Sequence, residues 1–203
     1  DFLVSDLSQL LRSIKLGAER IQAIVLSLRN FSRLDEADVK ASDLHEGLDS
    51  TLLILQHRLK PNGQNPGIDI IKDYGLLPPV RCSPCQINQV FMNILCNAID
   101  ALGQCPPPRT IAIQTRVQSD LSDPTQTWAI VRIHDNGQGI AEAIRQKIFD
   151  PFFTTKPVGQ GTGLGLSICH QIVVNRHKGR LHCLAHPSGG TEFVIEIPFT
   201  TEP

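Results

Sequence analysis

The chain has 203 residues, 41% of them hydrophobic and 19% charged, with a formal net charge of -1. That composition suits a globular protein with a sizeable core. It leaves no basic field to draw in nucleic acid and no apolar run long enough for a membrane-spanning helix. No secretory leader is visible, and the chain opens on Asp1 and not Met, so the sequence reads as a cytoplasmic piece of a longer protein whose upstream part can carry a membrane anchor.

Residues Asp6 to Phe31 read as one long helix. Leu7, Leu10, Ile14, Gly17, Ile21, Ile24, Leu28 and Phe31 recur at alternating spacings of three and four, a heptad stripe broken only by Gly17. Such a seam wants partner helices, as in a coiled coil or four-helix bundle. The polar stretch RLDEADVKASD that follows reads as a linker, with a short strand possible near Val39.

A second helix is expected from about Leu44 to Leu59, capped by Asp43 and ended by Pro61-Asn62-Gly63. Ile68 to Lys72 alternates like a strand. The Pro78-Pro79 pair and the CSPC stretch read as breakers, and a third helix is expected from about Gln86 to Leu102, with Ser83 as its cap and Pro84 in the first turn. Thr110–Val117 and Trp128–His134 alternate as a hairpin-like pair of strands. A last helix is expected from near Gly163 to about Asn175, then two strands around the turn HPSGG. The tally is an α+β fold with a mostly antiparallel sheet.

The six cysteines contain one C-x-x-C pair, Cys82 and Cys85. Zinc would want a second such pair, so the cysteines read as reduced thiols in the core. Neither G-x-x-x-x-G-K-[ST] nor G-x-G-x-x-G occurs, which argues against a P-loop or a dinucleotide fold.

Four stretches carry chemistry. In FMNILCNAIDAL, Asn93, Asn97 and Asp100 share one face of an otherwise apolar helix. Oxygen donors of that kind suit Mg²⁺ that leans on substrate phosphates. In HDNGQGI, Asp135 ends an apolar strand before Gly137, Gly139 and Ile140, where a carboxylate can accept from an exocyclic amine such as that of adenine. In IFDPFFTTK, Phe149, Phe152 and Phe153 would anchor a loop whose tip carries Thr154, Thr155 and Lys156. In GQGTGLGLSI, Gly159, Gly161, Thr162, Gly163, Leu164, Gly165 and Leu166 lead into a helix start, where free backbone N–H groups attract phosphate. Each of these also has a plain structural reading when taken alone: a solvated helix face, a turn aspartate, an anchored surface turn, a loop.

Taken together and in order, with a closing GGTEFVIEIP, they resemble the GHKL ATP-binding family, and more narrowly the catalytic domain of sensor histidine kinases. The resemblance runs from about Asp43 to Pro198. It implies a two-layer α/β sandwich of the Bergerat type, a mixed and mostly antiparallel sheet with helices on one face. It divides the chain into a partial dimerisation and phosphotransfer helix (1–34), a linker (35–43) and a catalytic ATP-binding domain (44–203).

The resemblance implies further that Asn97, with Asn93, holds Mg²⁺. Asp135 would read the adenine amine, Gly137 and Gly139 would line the adenine and ribose pocket, and Thr191 would support the adenine end. Phe149 to Lys156, with the glycines up to Gly165, would form a lid over the triphosphate. It also implies a homodimer through the first helix and a response-regulator receiver domain as partner, with no nucleic acid and no membrane contact from this stretch.

Relatives that hydrolyse ATP use a Glu one turn before the Mg²⁺ Asn. Here that position is Asn93, which cannot act as a general base. Phosphoryl transfer to a presented side chain needs mainly positioning and charge neutralisation, and the expectation is a histidine kinase. A nucleotide-gated adaptor, an anti-sigma type serine kinase or another GHKL ATPase is the alternative. The family's acceptor histidine, followed by an acid on a dimerisation helix, has no counterpart: His45-Glu46 and His134-Asp135 are the only such pairs and neither lies on the heptad helix. This stretch is therefore expected to bind ATP without phosphorylating itself.

Overall fold

A computed structural model describes residues 39–61, 63, 66–103, 105–120, 123, 126–156 and 163–199. The heptad helix, with the dimer expected from it, lies outside these residues, as do Gly159, Gly161 and Thr162.

The chain enters on a short strand, β1 (Lys40–Ser42), inside the stretch read as a linker. It pairs antiparallel with β3 (Val80–Cys82), in register Ala41 to Arg81. The prolines before β3 mask it in the sequence. What makes it a strand is long-range pairing, with Val80 and Cys82 buried and Arg81 exposed.

Helix α1 (Leu44–Leu59) buries Leu44, Leu48, Leu52, Leu55 and Leu59, a stripe at the helical period. Asp43 caps it: its Oδ1 accepts from the His45 N–H at 2.8 Å. Glu46 in the first turn and His57 and Arg58 in the last complement the helix dipole.

Helix α2 (Pro84–Leu102) starts two residues earlier than expected and buries Val90, Phe91, Ile94, Leu95, Ala98 and Leu102. Ser83 sits at its N-cap position, but its hydroxyl makes no capping bond. The Ser83 Oγ is buried with no hydrogen-bond partner among the described residues, while the Ser83 N–H donates to His177 Nε2 at 3.0 Å. Pro84 presets the first turn, and the imidazole stands in for part of the cap.

Five strands form the main sheet, β2 (Asp69–Tyr74), β4 (Thr110–Ser119), β5 (Thr127–Asp135), β6 (Arg180–Ala185) and β7 (Thr191–Pro198), in the order β2-β4-β5-β7-β6. β2 runs parallel to β4, and every other pairing is antiparallel. The sheet is thus mixed and mostly antiparallel, as expected.

Strand alternation sends Ile111 and Ile113 of β4, Ala129, Val131 and Ile133 of β5, and Phe193, Ile195 and Ile197 of β7 into one core with α1 and α2. Phe91 is fully buried there, a burial that contributes about 1.5–3 kcal/mol. On the other face Trp128, Ile130 and Val194 form a second, small cluster, and Arg180 stacks 4.3 Å from the Trp128 ring centre.

Between β5 and β6 lie a short helix α3 (Glu142–Arg145), a 3₁₀ turn (Lys147–Phe149) and helix α4 (Gly165–His170). α4 continues as a wider, π-helical segment over Gln171–Arg176, where the His177 N–H donates to the Ile172 carbonyl at 3.1 Å. The expected last helix is therefore present but changes its winding midway. No described helix is long and apolar enough to cross a membrane.

Candidate functional site

The period of two along β5 decides where Asp135 points. Ala129, Val131, Ile133 and Asp135 fall on the side of the sheet that meets the helices, so the carboxylate continues an apolar row. It is 4% exposed. In register it lies between Ile111 of β4 and Thr191 of β7, and Thr191 is equally buried. Burial pushes the Asp135 carboxyl above its ordinary value, against the opposing pull of the Gly137 N–H, the His134 imidazole and the Thr191 backbone. The Gly137 N–H donates to Asp135 Oδ1 at 2.9 Å.

Two turns close around this carboxylate. A Cβ on Gly137 would stand 2.8 Å from Asp135 Oδ1 and 3.3 Å from the Ala101 Cβ of α2. Gly190, at φ +84°, packs so tightly that a Cβ there would lie 1.8 Å from the Asp135 carbonyl oxygen. Gly139 backs onto the same Gly190, and Ile140 rests against the core. Asn136 locks the turn by accepting from the Thr110 N–H at 2.8 Å and donating to the Pro108 carbonyl at 2.8 Å. The D-x-G-x-G turn and the GGT turn, far apart in sequence, thus form one cradle.

The polar stripe of α2 lies on the helix that backs the cradle. Asn93 donates from Nδ2 to the Gly165 carbonyl at 3.1 Å and to Cys169 Sγ at 3.6 Å, which ties α2 to the start of α4. Gly165 faces the Asn93 side chain closely. Asn97, one turn on, is half-buried and has no hydrogen-bond partner among the described residues. Asp100, a further turn on, is ion-paired with both Arg58 of α1 and Lys156. Burial works to raise the Asp100 carboxyl, but hydrogen bonds from Lys156 and Arg58 outweigh it and hold the group below its ordinary value.

The Phe cluster divides. Phe149 and Phe153 pack against the core, with Phe149 5.6 Å from the His170 ring. Phe152 does not: it is 74% exposed and takes a φ of +67°. Gly163, also left-handed at φ +65°, leaves a Cβ no room, since one would fall 2.4 Å from the Phe152 carbonyl carbon. The segment from Phe149 to Lys156 is therefore held at two rings. Thr154 Oγ1 accepts from the Lys156 N–H at 3.1 Å, and Thr155 is exposed. Leu166 packs on the core, and the Leu164 carbonyl accepts from the Ser167 hydroxyl at 2.9 Å.

The histidines near these elements have other partners. His45 stacks on Tyr74 at 4.4 Å and bonds Thr115 Oγ1 through Nε2 at 2.8 Å. His134 points to the opposite face of the sheet, stacked on His186 at 3.7 Å. Cys82 and Cys85 are buried and form no disulfide, and among the described residues no cluster of His, Cys, Asp and Glu can hold a metal. A cavity of about 230 Å³ between β1 and the starts of α1 and α2 is lined by none of the motif residues.

Of the residues marked in the sequence, the structure brings Asp135, Gly137 and Thr191 into contact, and it joins Asn93 to Gly165. The sequence did not mark Arg58, Gly190 or Asn136, which the structure places against these residues. The two neighbours of marked residues could have been found by adjacency, whereas Arg58 carries no signal beyond its place in a last helical turn.

A mixed sheet with helices on one face, an Asn-bearing helix and a buried strand-end Asp between glycine turns define an ATP-binding catalytic domain of the GHKL type. Residues 83–201 match the family of histidine kinase-, DNA gyrase B- and HSP90-like ATPases, and the chain belongs to it, on its histidine-kinase branch. It is 32% identical over 185 residues to the signal transduction histidine-protein kinase AtoS of Escherichia coli, covering 91% of this chain and 28% of that protein. It is 34% identical over 194 residues to the sensor kinase CckA of Brucella abortus, covering 92% and 20% respectively. The chain thus spans under a third of the length of these relatives. The catalytic domain of histidine kinase ThkA superposes with a TM-score of 0.65 at 29% identity, over 80% of this chain and 99% of that one. ThkA has also been solved in complex with the response regulator protein TrrA, with a TM-score of 0.63 at 26% identity over 92% of this chain and 49% of that one.

Proposed function

We propose that this domain binds ATP with Mg²⁺ and places the γ-phosphate for transfer to a histidine presented by a dimerisation helix, for relay to a response regulator. The observation that carries the reading is the state of the α2 stripe. The position one turn before Asn97 is Asn93, an amide whose nitrogen is engaged by the Gly165 carbonyl. The one carboxylate on the stripe, Asp100, is held charged by two cations. The Asn93 amide cannot take a proton from an attacking water, so the stripe favours phosphoryl transfer to a nucleophile brought from outside over hydrolysis.

The residues present fit such a ligand. Asp135 is a buried acceptor for the adenine amine, with Gly137, Gly139 and Thr191 around it. Asn97, whose amide has no partner among the described residues, and Asn93 through its Oδ1 would hold a Mg²⁺, which would supply charge neutralisation to the phosphates. Lys156 adds a cation from the lid segment, and Gly165 opens the helix start beyond it. The chain's own part is to orient the nucleotide and to exclude water, not to act as base.

The acceptor histidine is not expected within this chain. His45, His134 and His177 are each engaged in packing or hydrogen bonds of the fold. The ThkA–TrrA complex supports a receiver domain as partner. The test is radiolabelled ATP with this chain alone and with a separate dimerisation helix pair added. We expect labelling of the added histidine only, acid-labile and base-stable. Binding without any transfer would favour a nucleotide-gated adaptor.

A further inference from the structure

Arg58 lies outside every sequence box, yet it reaches the same carboxylate as the lid cation. It ends α1 and donates from Nη2 to Asp100 Oδ1, while Lys156 Nζ donates to Asp100 Oδ2. Both oxygens of one carboxylate are therefore covered, by cations from two elements separated by almost a hundred residues. The group sits on the α2 stripe one turn beyond Asn97.

Neither pair is deeply buried. The side chains of Arg58 and Lys156 are 32% and 36% exposed, and that of Asp100 is 36% exposed. Ion pairs this open are weak and exchange readily for a denser anion. A phosphate presents the same kind of oxygen pair with more charge, and guanidinium and ammonium groups bind it well.

We propose that Arg58, together with Lys156, binds the phosphate chain of the nucleotide, and that Asp100 occupies this cation pair in the nucleotide-free protein as an internal anion which the phosphate replaces. Asp100 is then a competitor of the ligand and not a ligand of the metal, and it turns out to solvent when the phosphates arrive. The inference rests on the reading that Asn97 and Asp135 bind ATP.

The experiment is a four-protein cycle of wild type, Arg58→Ala, Asp100→Asn and the double variant, titrated with ATP and magnesium by calorimetry. Melting temperatures would check that each folds. Asp100→Asn should bind ATP several-fold more tightly than wild type. Arg58→Ala should bind it on the order of tenfold more weakly, the size of one lost hydrogen bond to a charged group, and should do so in the Asp100→Asn background as well. Unchanged or weaker binding by Asp100→Asn overturns the proposal. So does an Arg58→Ala loss that vanishes once Asp100 is gone, since Arg58 would then be only a structural partner of Asp100. Failure of the wild type to bind ATP at all would instead sink the nucleotide reading on which this rests.

Discussion

Asp135 and Gly190 meet backbone to backbone, so closely that a side chain on Gly190 would begin 1.8 Å from the Asp135 carbonyl oxygen. The Asp135 end of β5 and the turn between β6 and β7 are thus one unit. Gly190→Ala should destabilise the domain by about 1–3 kcal/mol from its left-handed backbone alone, and by more because the Cβ has nowhere to go. Urea unfolding would measure the loss. A variant as stable as wild type would show that the two turns can part freely.

Asp135→Asn keeps the size of the side chain but adds donors where the adenine amine needs an acceptor. ATP binding should weaken by about 1–3 kcal/mol, the range for mispairing a buried polar group. The preference over GTP should shrink with it. Calorimetry with both nucleotides decides: equal affinity of the wild type for ATP and GTP would remove the adenine role of Asp135.

The Asn97 side chain makes no hydrogen bond among the described residues, so Asn97→Ala should leave the melting temperature near that of wild type. Nucleotide binding should lose its dependence on Mg²⁺. If titrations with and without the ion still differ as in wild type, Asn97 does not hold the metal.

His177 links the winding of the last helix to the start of α2. Its Nδ1 faces the Ile172 carbonyl at 2.8 Å and its Nε2 accepts from the Ser83 N–H, which fixes the neutral Nδ1–H tautomer. Burial holds the imidazole below its ordinary value of 6.5, against the pull of the Ile172 carbonyl and with help from Arg176. The unfolded chain then takes up the proton more readily than the folded one. Stability from neutral His177 is present in full above pH 6.5 and falls away as the pH drops through the lower folded value. The stability gap between wild type and His177→Gln should narrow from pH 7 to pH 5. A gap that stays constant would mean that His177 does not titrate with folding.

Much of the fold was legible in the sequence because it is written in local periods. The leucines of α1 recur at the helical period and the inner residues of β5 at every second place, and these patterns set which faces are buried. The same period carries Asp135 inward at the end of its row, so the strand-end acceptor and the Asn93–Asn97 stripe could be placed before any contact was known. Cap chemistry was legible at Asp43 for the same local reason.

Only the tertiary structure decided the rest, because it depends on groups distant along the chain. β2 pairs parallel with β4, and β3 exists as a strand only through β1. Ser83 reads as a side-chain cap, but its N–H goes to His177, 94 residues away, and its buried hydroxyl has no partner among the described residues. Arg58 meets Asp100 across 42 residues, and Gly190 closes on Asp135 from the turn between β6 and β7. Sequence patterns report the face a residue lies on. The packing of one element against another selects which residue meets it there, and in this domain that selection joins α1, α2 and the segment that carries Lys156 at one carboxylate.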